Sequence, residues 1–189
     1  VASLLAEAFA GDPLINWVLR PDRRQQALRD FFRANVDEYF ANRRRVDVAT
    51  DDGEIQAALL WTPAPGAQPS SPRERLGLWG LRSWTGVRRF PRLARLVIAT
   101  EARYPRFPHH YVLFIGTRAD AQGKGLGSSL LRHVLADCDA RGIPAYLESS
   151  NSRNLNLYWR TGFRMLEQIT LAPGAPPLWL MLREPSPGV

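Results

Sequence analysis

The sequence predicts an α/β protein: one mixed β-sheet with helices packed against it. Three observations carry that expectation. Segments with an apolar stripe at helical spacing alternate with short β-prone runs. A glycine-dense turn joins one such run to a strongly amphipathic helix. Hairpin signals stand near both ends of the chain, so the sheet mixes strand directions. The 189 residues suit a single domain, 1–189, with a sizeable core and no internal repeat.

The elements follow in order. Residues 3–10 read as a helix with Leu4, Leu5, Ala8 and Phe9 on one face, stopped by Gly11 and Pro13. A second helix spans about 23–41, its inner side formed by Ala27, Leu28, Phe31, Phe32, Asn35, Val36, Tyr39 and Phe40. Asp51-Asp52-Gly53 then turns between strands at about 45–49 and 54–62. Residues 63–72 form a loop rich in Pro, Gly and Ser. From 72 to 104 the pattern is helical but punctuated by Gly77, Gly80, Gly86 and Pro91, which predicts two helices. Trp79, Trp84 and Phe90 there, with the local arginines, could line a substrate, membrane or partner surface; ordinary packing on the sheet is the preferred reading. A strand at 109–117, a helix at 123–141, a strand at 144–150 and a short helix at 154–161 come next. Strands near 164–171 and 178–183, joined by a Pro-Gly turn, close the chain.

Composition removes several function classes. The net charge is +7, but Lys124 is the only lysine and the arginines are spread along the chain, so no nucleic-acid face is defined. Hydrophobic residues make up 45% and charged residues 23%, as in an ordinary folded domain. No apolar run approaches the roughly 20 residues of a membrane span, and no signal-peptide pattern is present. Cys138 stands alone on the stripe Leu126, Leu130, Leu131, Val134, Leu135, which predicts a packed core thiol and a reducing, cytoplasmic setting. His109, His110 and His133 lack metal-ligand spacing, and no metal is expected.

The most informative stretch runs from Ile115 to Ser128. Glycines there allow the backbone to approach an anion closely, and the first amides of the following helix have no partner inside it. The combination is a phosphate cradle. A magnesium-nucleotide loop needs Gly-x4-Gly-Lys-Ser/Thr, but Arg118 and Gly125 occupy the required glycine and hydroxyl positions. A dinucleotide fingerprint fits Gly123 and Gly125, has Ser128 in place of its third glycine, and even finds Glu148 at the distance of a ribose-binding acid. That fingerprint follows its strand directly, whereas residues 118–122 intervene here.

Gln122-x-x-Gly125-x-Gly127 resembles the Gln/Arg-x-x-Gly-x-Gly/Ala signature of the GNAT N-acetyltransferases. The run from Asn151 to Phe163, with its Asn, Tyr158 and Gly162-Phe163, resembles the family's second motif. Two ordered motifs make the likeness firm over about 109–163. Segments Ala8-Phe9-Ala10-Gly11-Asp12-Pro13 and Leu147-Glu148-Ser149-Ser150 also look like the puromycin N-acetyltransferase branch, without implying that antibiotic as substrate. The resemblance implies a twisted mixed sheet with helices on both faces and a splayed central strand pair. It also implies a first strand ahead of Val1, outside this sequence.

The same likeness implies acetyl-coenzyme A as acyl donor and a small-molecule or peptide amine as acceptor; a homodimer stays open. Backbone amides of Phe114, Ile115 and Thr117 would meet the acetyl and pantetheine groups. Gln122, Gly123, Lys124, Gly125, Leu126, Gly127 and Ser128 would hold the pyrophosphate, with Arg118 adding charge. Asn154 would bind the pantetheine arm unless it caps the short helix; Asn151 is a second candidate for either job. Tyr158, one turn after Asn154, would protonate the departing thiolate, its alternative being a core anchor. Glu148 would accept the amine's proton, or else pair with an arginine. Asp12, Trp17 and Tyr39 would border the acceptor pocket. Two non-enzyme readings stand beside this one. A silent acyl-coenzyme A sensor would keep the cradle without the chemistry, and an arginine-rich nucleic-acid binder would show steep salt dependence.

Overall fold

In the computed structural model, residues 1–41, 44–65 and 84–186 are described. Six strands form one mixed sheet: β1 (Arg45–Asp51), β2 (Glu54–Thr62), β3 (His110–Thr117), β4 (Ala145–Ser149), β5 (Arg164–Thr170) and β6 (Pro177–Arg183). Their spatial order is β1-β2-β3-β4-β6-β5, and only β3 and β4 run parallel. This is the α/β class that the alternating segments predicted.

Strand periodicity explains the layering. Along β2, Ala57, Leu59 and Trp61 join one core, while Ala58 and Leu60 join the opposite one. The first core packs under α5 (Leu126–Arg141) through Leu131, Val134, Leu135 and Cys138, and under the short α6 (Leu155–Arg160). The opposite face receives α1 (Ala2–Ala8) and α3 (Arg24–Ala41) through Leu5, Leu28, Phe32 and Val36. The same face carries α2 (Pro13–Val18) and α4 (Gly86–Arg103), with Leu14 and Val18 beside Tyr146 and Leu178. Cys138 is fully buried, and burial pushes its thiol up to about 12, as befits an inert core group.

Gly116 sets how closely α1 approaches. A Cβ at that position would stand 2.9 Å from Leu5 Cδ2 and 3.0 Å from Ala8 Cβ, so only glycine admits the helix. At the far end of the sheet Arg183 grips Asp139 with two 2.8 Å contacts and donates from Nε to the Thr161 carbonyl. That bidentate pair ties β6 to α5 and to the end of α6.

The structure corrects one expectation about helix boundaries. Pro13 does not end α1; it opens α2. Asp12 is the N-cap, and its Oδ1 accepts from the amides of Leu14 and Ile15 at 3.0 and 2.9 Å. Proline fits the first helical position because its missing N–H would be unpaired there anyway. The other end of α2 is held from α4. Arg89 Nη1 donates to the carbonyls of Asn16, Trp17 and Leu19, and Arg92 Nη1 donates to that of Trp17. Pro91 lies inside α4, and the rest of the predicted 72–104 helical stretch falls partly outside the described residues.

Candidate active site

The site begins where the parallel strands part. β3 and β4 pair at His110 with Ala145, Tyr111 with Tyr146 and Val112 with Leu147, and no further. From Leu113 onward β3 keeps its bond to β2, while Glu148 and Ser149 stay paired with β6. The predicted splay is therefore present as a fork. Alternation along β3 fixes which amides face it. The Arg118 amide donates to the Gln56 carbonyl, so Gly116 and Phe114 also turn toward β2, and Ile115 and Thr117 turn to the open side. Phe114 thus departs from expectation. Its amide belongs to the ladder, and its ring packs edge-on against Phe9 and Phe31.

Beyond β3 the chain makes a 3-10 turn at Ala119–Ala121 and then enters α5. Gly123 and Gly125 have φ of +80° and +81°, the left-handed region that glycine occupies without strain. Gly125 is the N-cap and supplies no side-chain cap, so the first amides of α5 face outward without intrahelical partners. The following Gly127 lies close to β3, where a Cβ would meet Thr117 Oγ1 at 3.3 Å.

Two cavities open on opposite sides of the fork. A cleft of about 1710 Å³ is lined by Ile115, Thr117, Gln122, Gly123, Gly125, Leu126, Gly127, Ser128, Asn151, Asn154 and Tyr158. A smaller cavity of about 290 Å³ lies under α1 to α4 and contains Glu148, Tyr111, Tyr39 and many apolar side chains. Phe9, Asp12, Ile115, Asn154 and Tyr158 border both. The cavities therefore meet at the fork.

Tyr158 is buried, its ring edge-on to Phe163. Burial first and the Asp12 carboxylate second push its phenol well above the ordinary value, so the hydroxyl stays protonated. Glu148 accepts from the Tyr146 hydroxyl at 3.2 Å and from that of Tyr111 at 3.5 Å. Burial, reinforced by Glu148 itself, pushes both tyrosines up and keeps them as donors. Asp12 carries a second load: its Oδ2 accepts from Ser150 Oγ at 2.7 Å, fastening the α1–α2 turn to the end of β4.

Several expected residues separate here. Asn154 makes no side-chain cap on α6, whereas Asn151 accepts from the Arg153 amide at 3.1 Å. Asn151 thus caps the 3-10 turn Ser152–Asn154 rather than α6, and Asn154 borders both cavities. Gln122 Nε2 donates to the Thr117 carbonyl at 3.3 Å, tying the turn to its strand. Arg118 is taken up by Asp120 and Glu54, and Lys124 is an exposed turn residue; neither borders the cleft. Trp17 lies outside both cavities, beneath the Arg92 guanidinium at 5.0 Å. Arg132, Arg153 and Arg160 line the cleft instead. Arg132 follows Ser128 by four residues on α5, a spacing that puts both on one helical face and could have flagged it. Tyr146, two residues before Glu148 on one strand, was equally readable.

A forked parallel pair, a left-handed glycine turn opening a long helix and a basic cleft define an acyltransferase that uses an acyl-coenzyme A donor. The chain belongs to the acetyltransferase (GNAT) family, whose model matches residues 13–163. The family's donor is acetyl-coenzyme A, and the cradle just described suits its pyrophosphate: amides, glycines and arginines converge on one cleft. An uncharacterized N-acetyltransferase of Schizosaccharomyces pombe is 28% identical over 195 residues, 97% of this chain and 78% of that one. A Corynebacterium glutamicum crystal structure, described as histone acetyltransferase HPA2 and related acetyltransferase, superposes with TM-score 0.71 and 30% identity, covering 100% and 91% of the two chains. Arylalkylamine N-acetyltransferase 2 of Aedes aegypti shares the fold at TM-score 0.68 and 14% identity, covering 98% and 94%. Among the described residues, no group of His, Cys, Asp and Glu could hold a metal ion, and no helix is long and apolar enough to cross a membrane.

Proposed function

We propose that the protein transfers acetyl from acetyl-coenzyme A to a primary amine of a small molecule or peptide, by direct attack within a ternary complex. The carrying observation is the meeting of the two cavities at Tyr158, beside the point where β3 and β4 part. The donor occupies the cleft, with its diphosphate against Gly123, Gly125 and the amides of Leu126, Gly127 and Ser128. Ile115 and Thr117 offer fixed amides to the thioester and to the oxyanion that develops from it, a type of contact typically worth a few kcal/mol. Asn154 holds the pantetheine arm.

The acceptor enters from the smaller cavity. Glu148 takes a proton from the ammonium or the attacking nitrogen, directly or through a water, and the Tyr146 and Tyr111 hydroxyls orient its carboxylate. The nitrogen forms the new bond to the carbonyl carbon, and the carbon–sulfur bond breaks. Tyr158 then donates to the departing sulfur. The phenol carries its proton at neutral pH and so is in the form that can donate.

Tyr158→Phe tests this assignment. Turnover is expected to fall by about 10²–10⁴, while acetyl-coenzyme A affinity, measured by calorimetric titration, stays within about twofold because the hydroxyl acts on the leaving sulfur. Unchanged turnover would remove Tyr158 from the chemistry. In the wild type, acetyl-coenzyme A is expected to raise the melting temperature by binding the folded state. A donor that neither binds nor stabilises overturns the whole reading.

A further inference from the structure

The inner side of α4 behaves as ordinary packing on the sheet predicts: Leu93, Leu96, Val97 and Thr100 line the smaller cavity. The outer side does not. At about 100° per residue, Val87, Pro91, Ile98 and Ala102 fall within about 60° of one another around the helix. All four are exposed, Val87 at 85% and Ile98 at 63%. A rise of about 1.5 Å per residue makes this ridge about 22 Å long. Arg88 and Arg95, two turns apart, run along one flank of it.

The arginines of α4 divide into two groups. Arg89 and Arg92 are committed to the carbonyls of α2, and Arg103 pairs with Glu167 at 2.9 Å. Arg88 and Arg95 are exposed, and among the described residues neither pairs with a carboxylate. The other long helices lack this combination. Apart from Phe40 near its end, α3 faces water with Gln25, Gln26, Arg29, Arg33 and Asp37, and Asp37 lies 3.9 Å from Arg33. On α5, Arg141 pairs with Asp137 at 2.9 Å.

Charge and shape together select an occupant. A second copy would bring the same positive excess, five arginines against Glu101, to the contact. The ridge is convex and lines neither cavity, so it offers no pocket for a protein side chain to anchor in. A bilayer surface needs no pocket: headgroup phosphates accept from guanidiniums, and the acyl boundary takes the apolar ridge.

We infer that the outer side of α4 docks on a bilayer surface rich in anionic phospholipid, the helix lying in its plane. Val87 and Ile98 reach the acyl boundary, and Arg88 and Arg95 stand among the phosphates. The inference is independent of the proposed acetyl transfer. It sets the smaller cavity one helix thickness from the lipid.

The test is flotation of the full chain with vesicles of phosphatidylcholine, pure or with about 30% phosphatidylglycerol. Partition onto the anionic vesicles at about 0.1 M salt is expected to exceed that onto the neutral ones at least tenfold, and to fall steeply by about 0.5 M. Arg88→Glu with Arg95→Glu should weaken it by about tenfold or more. Val87→Ser with Ile98→Ser should weaken it by about threefold or more at unchanged charge. Arg29→Glu with Arg33→Glu makes the same charge change on α3 and should leave it within about twofold.

No excess over neutral vesicles overturns the inference. So does an equal loss from the α3 pair, which assigns the attraction to diffuse charge. A dimer in sedimentation velocity that Val87→Ser with Ile98→Ser dissociates, without vesicle partition, gives the ridge to a second copy instead. The wild-type comparison decides the matter even if a variant does not fold.

Discussion

The large cleft and the smaller cavity, proposed for donor and acceptor, lie on two sides of one fork, yet they are built from different materials. The anion cradle of the cleft is made of backbone: left-handed glycines, the open end of α5 and the amides of a strand that has lost one neighbour. The cavity is made of side chains contributed by the α1–α2 turn, α2, α3, α4, α6 and the sheet. Backbone donors depend on conformation, which a few glycines can specify. A side-chain wall depends on which residues happen to meet across the fold. The difference teaches where this protein is constrained and where its specificity can be rewritten.

The largest expected effect breaks the acceptor side alone. Glu148→Gln keeps the shape and one of the two tyrosine contacts but removes the proposed base. It should lower amine kcat/KM by about 10²-fold or more, with acetyl-coenzyme A affinity unchanged in a calorimetric titration. Equal losses on both sides would erase the distinction drawn above. Gly125→Val attacks the donor side in turn. A β-branched residue at φ +81° costs about 1–3 kcal/mol, so donor affinity should weaken roughly 5- to 100-fold while circular dichroism stays native.

Gly116→Val presses on the strand that serves both sides. Its Cβ would overlap Leu5 and Ala8, and overpacking of that kind costs about 1–3 kcal/mol, readable as a lower urea midpoint. Asp12→Ala removes an N-cap, worth about 1 kcal/mol of stability, and with it the carboxylate that raises Tyr158. The phenol's pKa should therefore fall, as a spectrophotometric titration would show.

The smallest effect is a pH dependence. Burial, the dominant cause, holds His109 and His110 below their ordinary 6.5. The unfolded chain thus binds their protons first. Their contribution to stability is complete above about pH 6.5 and is lost as pH falls through the lower folded values. Urea midpoints should drop from pH 7.5 to 5.5, and a flat profile would contradict the burial.

Legibility followed the same division of materials. The strand at 109–117, the glycine turn, the α5 helix and the hairpin at Asp52-Gly53 were all readable, because local spacing and turn chemistry set them. So were Gln122, Gly125, Gly127, Asn154 and Tyr158 as members of one region, which the fold brings to one cleft. Phe114 was assigned to the wrong side because strand alternation becomes visible only once Arg118 is seen to bond Gln56. Trp17 was misplaced for a tertiary reason: Arg92, 75 residues away, draws α2 onto α4. The α2 start at Asp12-Pro13 was legible by its cap chemistry but was mistaken for a stop.

The fork has a mechanical corollary. Three residue pairs join β3 to β4, against six between β2 and β3 and five between β4 and β6. The least-stitched seam of the sheet thus passes through the proposed reaction centre, and local opening starts where stitching is sparse. A donor wedged into that seam acts as its missing thread. Resistance to proteolysis should accordingly rise with acyl-coenzyme A concentration, the seam being held shut by the molecule it is proposed to serve.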